Sequence, residues 1–294
     1  MQKTINSVNN INNNPRYFSP ENINAPAVAV FTTRCGGVSG VAGGPENNIN
    51  NINSISSLNL GFKEKYDKNE NVFRNYKIIA DELGFAADNI IYAHQKHTDN
   101  ILICGENFIN SPFPLPDGCV YDAMVTDMPG ILLSVRSADC ATVLFWDEEH
   151  KAVGAAHCGW RGTVQKLQVK TALKMRELYN TDLHKLKAAI GPCISKCCYE
   201  VSKEFFDNFV NILGCEVKVY FEEKSGCELR KYYCDLKGVN KMLLENILNP
   251  GKSNNNNNIE VSRNCTCCEE NLFYSHRRQG DFRGTHASFI GIKK

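Results

Sequence analysis

The chain has 294 residues, 33 basic and 32 acidic, with a formal charge of +1 and 43% hydrophobic content, enough to bury the core of one large domain or two small ones. A near-neutral balance excludes the electrostatic footprint of a nucleic-acid or membrane-surface binder, which needs surplus Lys and Arg on one face, and leaves small substrates open. Its 14 cysteines follow an opening MQKTINSVNN with no apolar leader, so they read as reduced thiols of a cytoplasmic protein, and the longest apolar runs, PAVAVF and GILLSV, fall far short of the roughly 18 residues that span a bilayer.

Three Asn-rich tracts punctuate the chain: NNINNN near the start, ENNINNINS at 46–54 and SNNNNN at 253–258. Such tracts cannot pack a core. They read as part of a flexible N-terminal tail, residues 1–25, and as two surface insertions in one domain, residues 26–294.

Small and branched apolar residues from Ala27 to Thr32 predict a buried strand running into a turn at Arg34, Gly36 and Gly37. Asp67 with Glu70 three positions on predicts a helix start, and Val72, Phe73, Tyr76, Ile79, Ala80 and Leu83 keep one face apolar until Gly84 ends it. Strands are expected at 89–94 and 100–104, around a loop carrying His97. Another, at 130–135, leads into Ser137-Ala138-Asp139-Cys140. Residues 141–147 and 152–156 predict two further strands joined by a turn, the second ending at His157, which makes His157 and Cys140 neighbours across strands. After Gly162 a helix is predicted to Tyr179, with Val164, Leu167, Thr171, Met175 and Leu178 on one side. Later helices are expected at 202–213 and 235–248. Strands and helices mix without βαβ alternation, which predicts an α+β fold of mixed β-sheets flanked by helices.

His97 in HQKHTD, Cys140 in SADC and His157 in AAHCGWRG are residue types that one zinc ion accepts, with a fourth position left for water or substrate. Their separations are too wide for a zinc finger, so only the folded sheet can bring them together. Taken alone, each reads more simply as an ordinary core or loop residue. Further cysteines at 193, 197 and 198 and at 265, 267 and 268 match no common zinc ribbon, and are read as reduced structural thiols.

The segments FTTRCGGVSG, SLNLGFKEKYDKNENVFRNY, HQKHTDNI, YDAMVTDMPGILLSVRSADCATVLFWDEEHKAVGAAHCGWRGTV, AIGPCISKCCYEV and FYSHRRQGDFRGTHASFIGI resemble, in order and over roughly residues 26 to 293, the laccase-domain family of polyphenol-oxidase-like and peptidoglycan-editing-factor proteins, regarded as purine nucleoside-processing enzymes. The resemblance implies His97, Cys140 and His157 as zinc ligands. The chain departs from the family's commonest Q-V-H-G and S-Y-R-R in having Gln95-Lys96-His97-Thr98 and Ser275-His276-Arg277-Arg278, without loss of a ligand. It also implies phosphorolysis of purine nucleosides to base and ribose 1-phosphate, with adenosine deamination and methylthioadenosine phosphorolysis as companions.

For deamination, zinc lowers the pKa of bound water to about 7, and Asp139 is the candidate for moving protons. For phosphorolysis, Arg34 is the expected phosphate ligand through its planar fork, with Arg277 assisting from the C-terminal strand. Arg161 either contacts substrate or fixes the GWRG turn. Asn59 either contacts ligand or caps its own turn. His94 is expected to pack or to orient its neighbour, and Trp160 to fill space beside the site.

Three readings compete. One is a copper-dependent polyphenol oxidase, although a single His₂Cys set lacks the dense histidines of a multicopper site. Another is a hydrolase or amidase editing peptidoglycan precursors, with Cys140 as nucleophile and His157 as base. The third is a non-catalytic interaction protein stabilised by zinc. No nucleic-acid, membrane or specific protein partner is indicated.

Overall fold

The computed structural model describes residues 10–11, 14–40, 57–62, 67–226, 229–249 and 258–294. The tracts at 46–54 and 253–257 lie outside them. One five-stranded sheet has the order Tyr17–Phe18, Ala27–Thr32, His286–Ile292, Leu132–Ser137, Ile90–Tyr92; a six-stranded sheet has the order Ile259–Val261, Lys187–Ile190, Ala141–Asp147, Ala152–Cys158, Ala123–Thr126, Ile101–Ile103. Both contain parallel and antiparallel pairs, so the sheets are mixed and the fold is α+β, in a single domain.

Side chains alternate between the two faces of a strand, and here both faces are buried. From Ala141–Asp147, Leu144 and Trp146 join Phe31, Leu133, Val135 and Ile290 between the sheets, whereas Val143 and Phe145 pack with Leu167, Met175, Val239 and Leu243 of the helices Leu167–Tyr179 and Leu236–Leu248. The outer face of the five-stranded sheet is covered by the helix Asn69–Leu83 through Val72, Tyr76 and Ile79. The result is four layers, with the helix Asn69–Leu83 on the outer face of the five-stranded sheet and the helices Leu167–Tyr179 and Leu236–Leu248 on that of the six-stranded sheet. Double-sided burial explains why the central strands read as continuous apolar runs.

Several boundaries differ from expectation for identifiable reasons. Asp67 is not the helix cap; its carboxylate accepts hydrogen bonds from Ser39 Oγ and Asn59 Nδ2, both at 2.7 Å, and the helix starts at Asn69. Phe73 lies 41% exposed, while Asn75 turns inward to accept from the Val38 N–H at 2.8 Å. The helix expected after Gly162 is two helices, Trp160–Val164 and Leu167–Tyr179, parted by Lys166 in left-handed backbone at φ 57°. Ser202 and Asp235 cap Lys203–Leu213 and Leu236–Leu248, accepting from Phe205 N and Gly238 N.

Part of the segment expected as a flexible tail is instead packed. Tyr17 and Phe18 pair with Thr32 and Phe31, and the Arg16 and Tyr17 side chains are buried. Strands at Lys187–Ile190 and Ile259–Val261, and a small sheet of Glu200–Ser202, Lys231–Cys234 and Phe221–Glu223, were not foreseen. No helix among the described residues is long and apolar enough to cross a membrane.

Candidate metal centre

His157 lies near the end of Ala152–Cys158, opposite Thr142 in the antiparallel register, and Cys140 directly precedes Ala141–Asp147. The two strand ends therefore meet, as the pattern predicts. The fold also brings in His97: one potential ligand atom from each of His97, Cys140 and His157 lies within 4.8 Å of the others. His97 Nε2 is 3.9 Å from Cys140 Sγ, and the two imidazole centroids are 5.0 Å apart.

The loop holding His97 is fixed from both sides. The Gln95 side chain makes a double hydrogen bond to the backbone of Arg136, donating to its carbonyl at 2.9 Å and accepting from its N–H at 2.8 Å. On the other side the buried Asp122 carboxylate accepts the backbone N–H groups of Lys96, His97 and Thr98 and the Thr98 hydroxyl. His97 itself is held at φ 60°, a region rarely adopted by residues other than glycine.

Asp122 also accepts from His157 Nδ1 at 2.9 Å. A carboxylate on one imidazole nitrogen sets the tautomer and leaves the other nitrogen for a metal. Sequence reasoning missed this residue, although Asp122 stands in the YDAMVTD segment, immediately before the strand Ala123–Thr126. The orienting role considered for His94 belongs to Asp122; His94 Nε2 instead pairs with the Leu115 carbonyl at 2.8 Å.

The electrostatics follow from these contacts. Burial disfavours charge on Asp122, but the hydrogen bond and charge of His157 and the Thr98 donors hold its carboxyl down to about 2. Burial also opposes ionisation of Cys140, yet His157 and the hydrogen bonds from both imidazoles bring the thiol down to about 6. Burial would lower His157, but the Cys140 thiolate and Asp122 raise it to about 9. These interactions favour the thiolate that a metal ligand requires and place a proton on His157 that a bound metal would displace. Space is limiting as well: a Cβ on Gly159, of the GWRG turn, would come within 2.8 Å of Cys140 Sγ and 3.3 Å of His97 Cδ2.

A family described as multi-copper polyphenol oxidoreductase laccase matches residues 28–293. The chain belongs to this laccase-domain family. It is 30% identical over 230 residues to a Bacteroides thetaiotaomicron protein named purine nucleoside phosphorylase, covering 78% of this chain and 82% of that one. Human purine nucleoside phosphorylase LACC1 is 29% identical over 267 residues, 90% of this chain but 55% of the human protein, so the chain spans about half the length of that relative. Among solved structures, the Bacillus licheniformis hypothetical protein YfiH superposes with a TM-score of 0.77 at 32% identity, over 91% of this chain and 93% of that one.

The other expected site residues of this laccase-domain chain are placed as follows. Asp139, at φ 94°, accepts from Thr266 Oγ1 at 2.6 Å, Ser275 Oγ at 3.0 Å and the Arg277 N–H at 2.6 Å, which ties the C-terminal segment to the residue before Cys140. Arg34 donates to the Glu270 carbonyl at 3.1 Å and lies over the Tyr274 ring. Arg277 sits in the short helix His276–Gln279, not in a strand, and its fork donates to the carbonyls of Cys198 and Glu200. Arg161 is exposed and stacks on Trp160, which packs against Phe205. Asn59 is buried and bonded to Gly61, Asp67 and Thr285, the turn-capping alternative of its two readings.

Proposed function

We propose that this chain is a zinc-dependent purine nucleoside phosphorylase of the cytoplasm, cleaving adenosine, inosine and guanosine with phosphate, and acting also as adenosine deaminase and methylthioadenosine phosphorylase. The observation that carries the reading is the convergence of His97, Cys140 and His157 on one point, with Asp122 behind His157, in a chain whose relatives bear the name purine nucleoside phosphorylase. Two imidazoles and a thiolate are a donor set that zinc accepts with one position left open. Zinc held there would supply a Lewis acid.

In phosphorolysis a phosphate oxygen forms a bond to C1′ of the ribose as the bond from C1′ to the purine nitrogen breaks. The bonding pair leaves with the base, which takes up a proton. Arg34 is the phosphate ligand of this reading: the Tyr274 ring and the Glu270 carbonyl fix the plane of its guanidinium, and a planar fork suits an oxyanion. Asp139 is a positioning residue, because its oxygens are occupied by three donors that hold Cys140's neighbourhood to the C-terminal segment. Arg277, bonded to two backbone carbonyls, shapes the same wall. Arg161 is a secondary candidate for substrate contact, and Asn59, with its amide committed to Gly61, Asp67 and Thr285, holds the turn beside the site.

Copper oxidation, suggested by the family's description, is disfavoured by the ligands. Among the described residues one potential metal-binding group contains histidine, and the remaining histidines bond or pack elsewhere, His150 with Asp147, His184 with Leu248 and His276 with Gly280. A multicopper centre needs more imidazoles. The lowered Cys140 thiol beside His157 equally suits a nucleophile with its base, so the test must separate the two chemistries.

Metal content and release of free base from adenosine, inosine and methylthioadenosine, with and without phosphate, provide it. The expected result is zinc bound at this centre and phosphate-dependent release of base, both lost in Cys140→Ala. Full phosphorolysis by zinc-free protein would overturn the metal role. Base release independent of phosphate would overturn the phosphorylase.

A further inference from the structure

Cysteines distant in sequence form a second group of thiols away from the histidine pair. Cys197 and Cys198 follow the Lys187–Ile190 strand; Cys265 and Cys268 follow Ile259–Val261. The four Sγ atoms all lie within 4.8 Å of one another, with closest contacts of 3.6 Å between Cys197 and Cys265, 3.4 Å between Cys197 and Cys268 and 3.3 Å between Cys198 and Cys268. A tetrahedron with zinc–sulfur bonds of about 2.3 Å has sulfur–sulfur edges of about 3.8 Å. Three of the sulfur–sulfur separations fall within about 0.5 Å below that edge, the others are no longer than 4.8 Å, and all four sulfurs take part.

We propose that Cys197, Cys198, Cys265 and Cys268 form a second, structural metal site that binds a thiophilic divalent ion, zinc, as a tetrathiolate staple.

Backbone contacts hold the cysteine-bearing segments together. Thr266 N–H donates to the Cys193 carbonyl at 3.2 Å, and Cys193 and Cys265 form a parallel bridge. The Cys265 N–H donates to Glu269 Oε1 at 2.8 Å, and the Ser195 N–H donates to Cys265 Sγ at 3.4 Å. An amide pointed at a sulfur stabilises it as thiolate and orients it as a ligand. Arg278 donates to the carbonyls of Thr266 and Cys267, and Arg277 to that of Cys198. Two guanidinium groups are thus fixed on the ligand-bearing segments, where they offset the surplus negative charge of four thiolates around a divalent cation.

The ligand count separates the jobs of the two centres. Four protein sulfurs close a tetrahedral site and leave no position for substrate, the mark of a structural ion, whereas His97, Cys140 and His157 leave one open. Cys265 is buried and Cys197 and Cys268 are exposed, so the ion has a route in from solvent. Its mechanical consequence runs to the first centre: the stapled segments supply the Ile194 N–H to the Asp139 carbonyl and the Thr266 hydroxyl to the Asp139 carboxylate. The staple therefore holds in register the wall beside Cys140.

The test is metal stoichiometry of the full chain, purified reduced and without oxygen and then loaded with zinc or with cobalt(II). Wild type should bind two equivalents, one for each group of ligands. Cys268→Ser and Cys197→Ser should each bind one, and Cys140→Ala should bind one and keep the absorption of a cobalt tetrathiolate. The same absorption should vanish in Cys268→Ser. Three results would overturn the proposal: one equivalent in wild type that disappears in Cys140→Ala, no tetrathiolate spectrum in Cys140→Ala, or alkylation and intact mass showing a disulfide among the four in freshly reduced, zinc-loaded protein. The spectrum of Cys140→Ala and the thiol count of wild type need no cluster variant to fold, and neither depends on the nucleoside reaction.

Discussion

Asp122 Oδ1 receives the Nδ1 hydrogen of His157 at 2.9 Å, while the same carboxylate binds the loop that carries His97. One acidic side chain thus orients two of the three proposed ligands, one through its ring and one through its backbone. Asp122→Asn would turn an amide N–H toward groups that are themselves donors. Metal affinity at the histidine centre should fall by about 10- to 100-fold, measured by competition with a chromophoric chelator, and base release should fall with it at limiting zinc. Unchanged affinity would show that the backbone alone positions His97 and His157.

Gly159 gives a steric test of the same centre. A methyl group there meets Cys140 Sγ at 2.8 Å and His97 Cδ2 at 3.3 Å, so Gly159→Ala must displace a ligand. Overpacking of this kind costs about 1 to 3 kcal/mol, which leaves the fold in place. The expected outcome is a protein with native circular dichroism, a modestly lower Tm, and loss of the metal equivalent that Cys140→Ala also loses. Full metal retention would mean that Cys140 is not a ligand.

What the sequence reveals and what it hides have physical causes. Cys140 and His157 are legible because buried runs of apolar residues end at them, and adjacent strands joined by a short turn place such ends together. Asp122 is hidden because its value lies in amides of a loop more than twenty residues earlier, which no local period encodes. The four-cysteine group is hidden for a related reason: its halves meet through the parallel pairing of Lys187–Ile190 with Ile259–Val261, two short strands without alternation. Asn75 and Asp67 show the limit of periodicity, since both are buried polar residues that hold the turn after Arg34 instead of following the helix pattern.

Arg34 separates anion binding from metal binding. Its guanidinium is positioned by the Glu270 carbonyl and the Tyr274 ring. Arg34→Ala should raise the KM for phosphate by about tenfold or more, the loss expected for a charge-assisted hydrogen bond, with zinc content unchanged. Arg34→Lys should recover only part of it, because an ammonium lacks the planar fork. Equal loss of phosphate use and zinc would assign Arg34 to the structure of the centre.

His286 predicts the response of the fold to acid. It lies in the His286–Ile292 strand, buried, with neither ring nitrogen bonded among the described residues and with Phe273 packed edge-on at 5.6 Å. Burial is the main cause that lowers it from 6.5 to about 4; Asp139 works against this and Arg283 with it. A histidine that folds neutral contributes its full stability above pH 6.5, where the unfolded chain is neutral as well. Between pH 6.5 and 4 the unfolded chain takes up the proton and the folded one does not, so stability falls with the pH, by about 3 kcal/mol in total at about 1.4 kcal/mol per unit. Below pH 4 this residue adds no further slope. His286→Phe, which keeps an aromatic ring against Phe273, should abolish this part of the loss in urea unfolding measured at intervals from pH 7 to pH 4. An identical pH dependence in wild type and variant would mean that the folded protein carries a charged imidazole at this position.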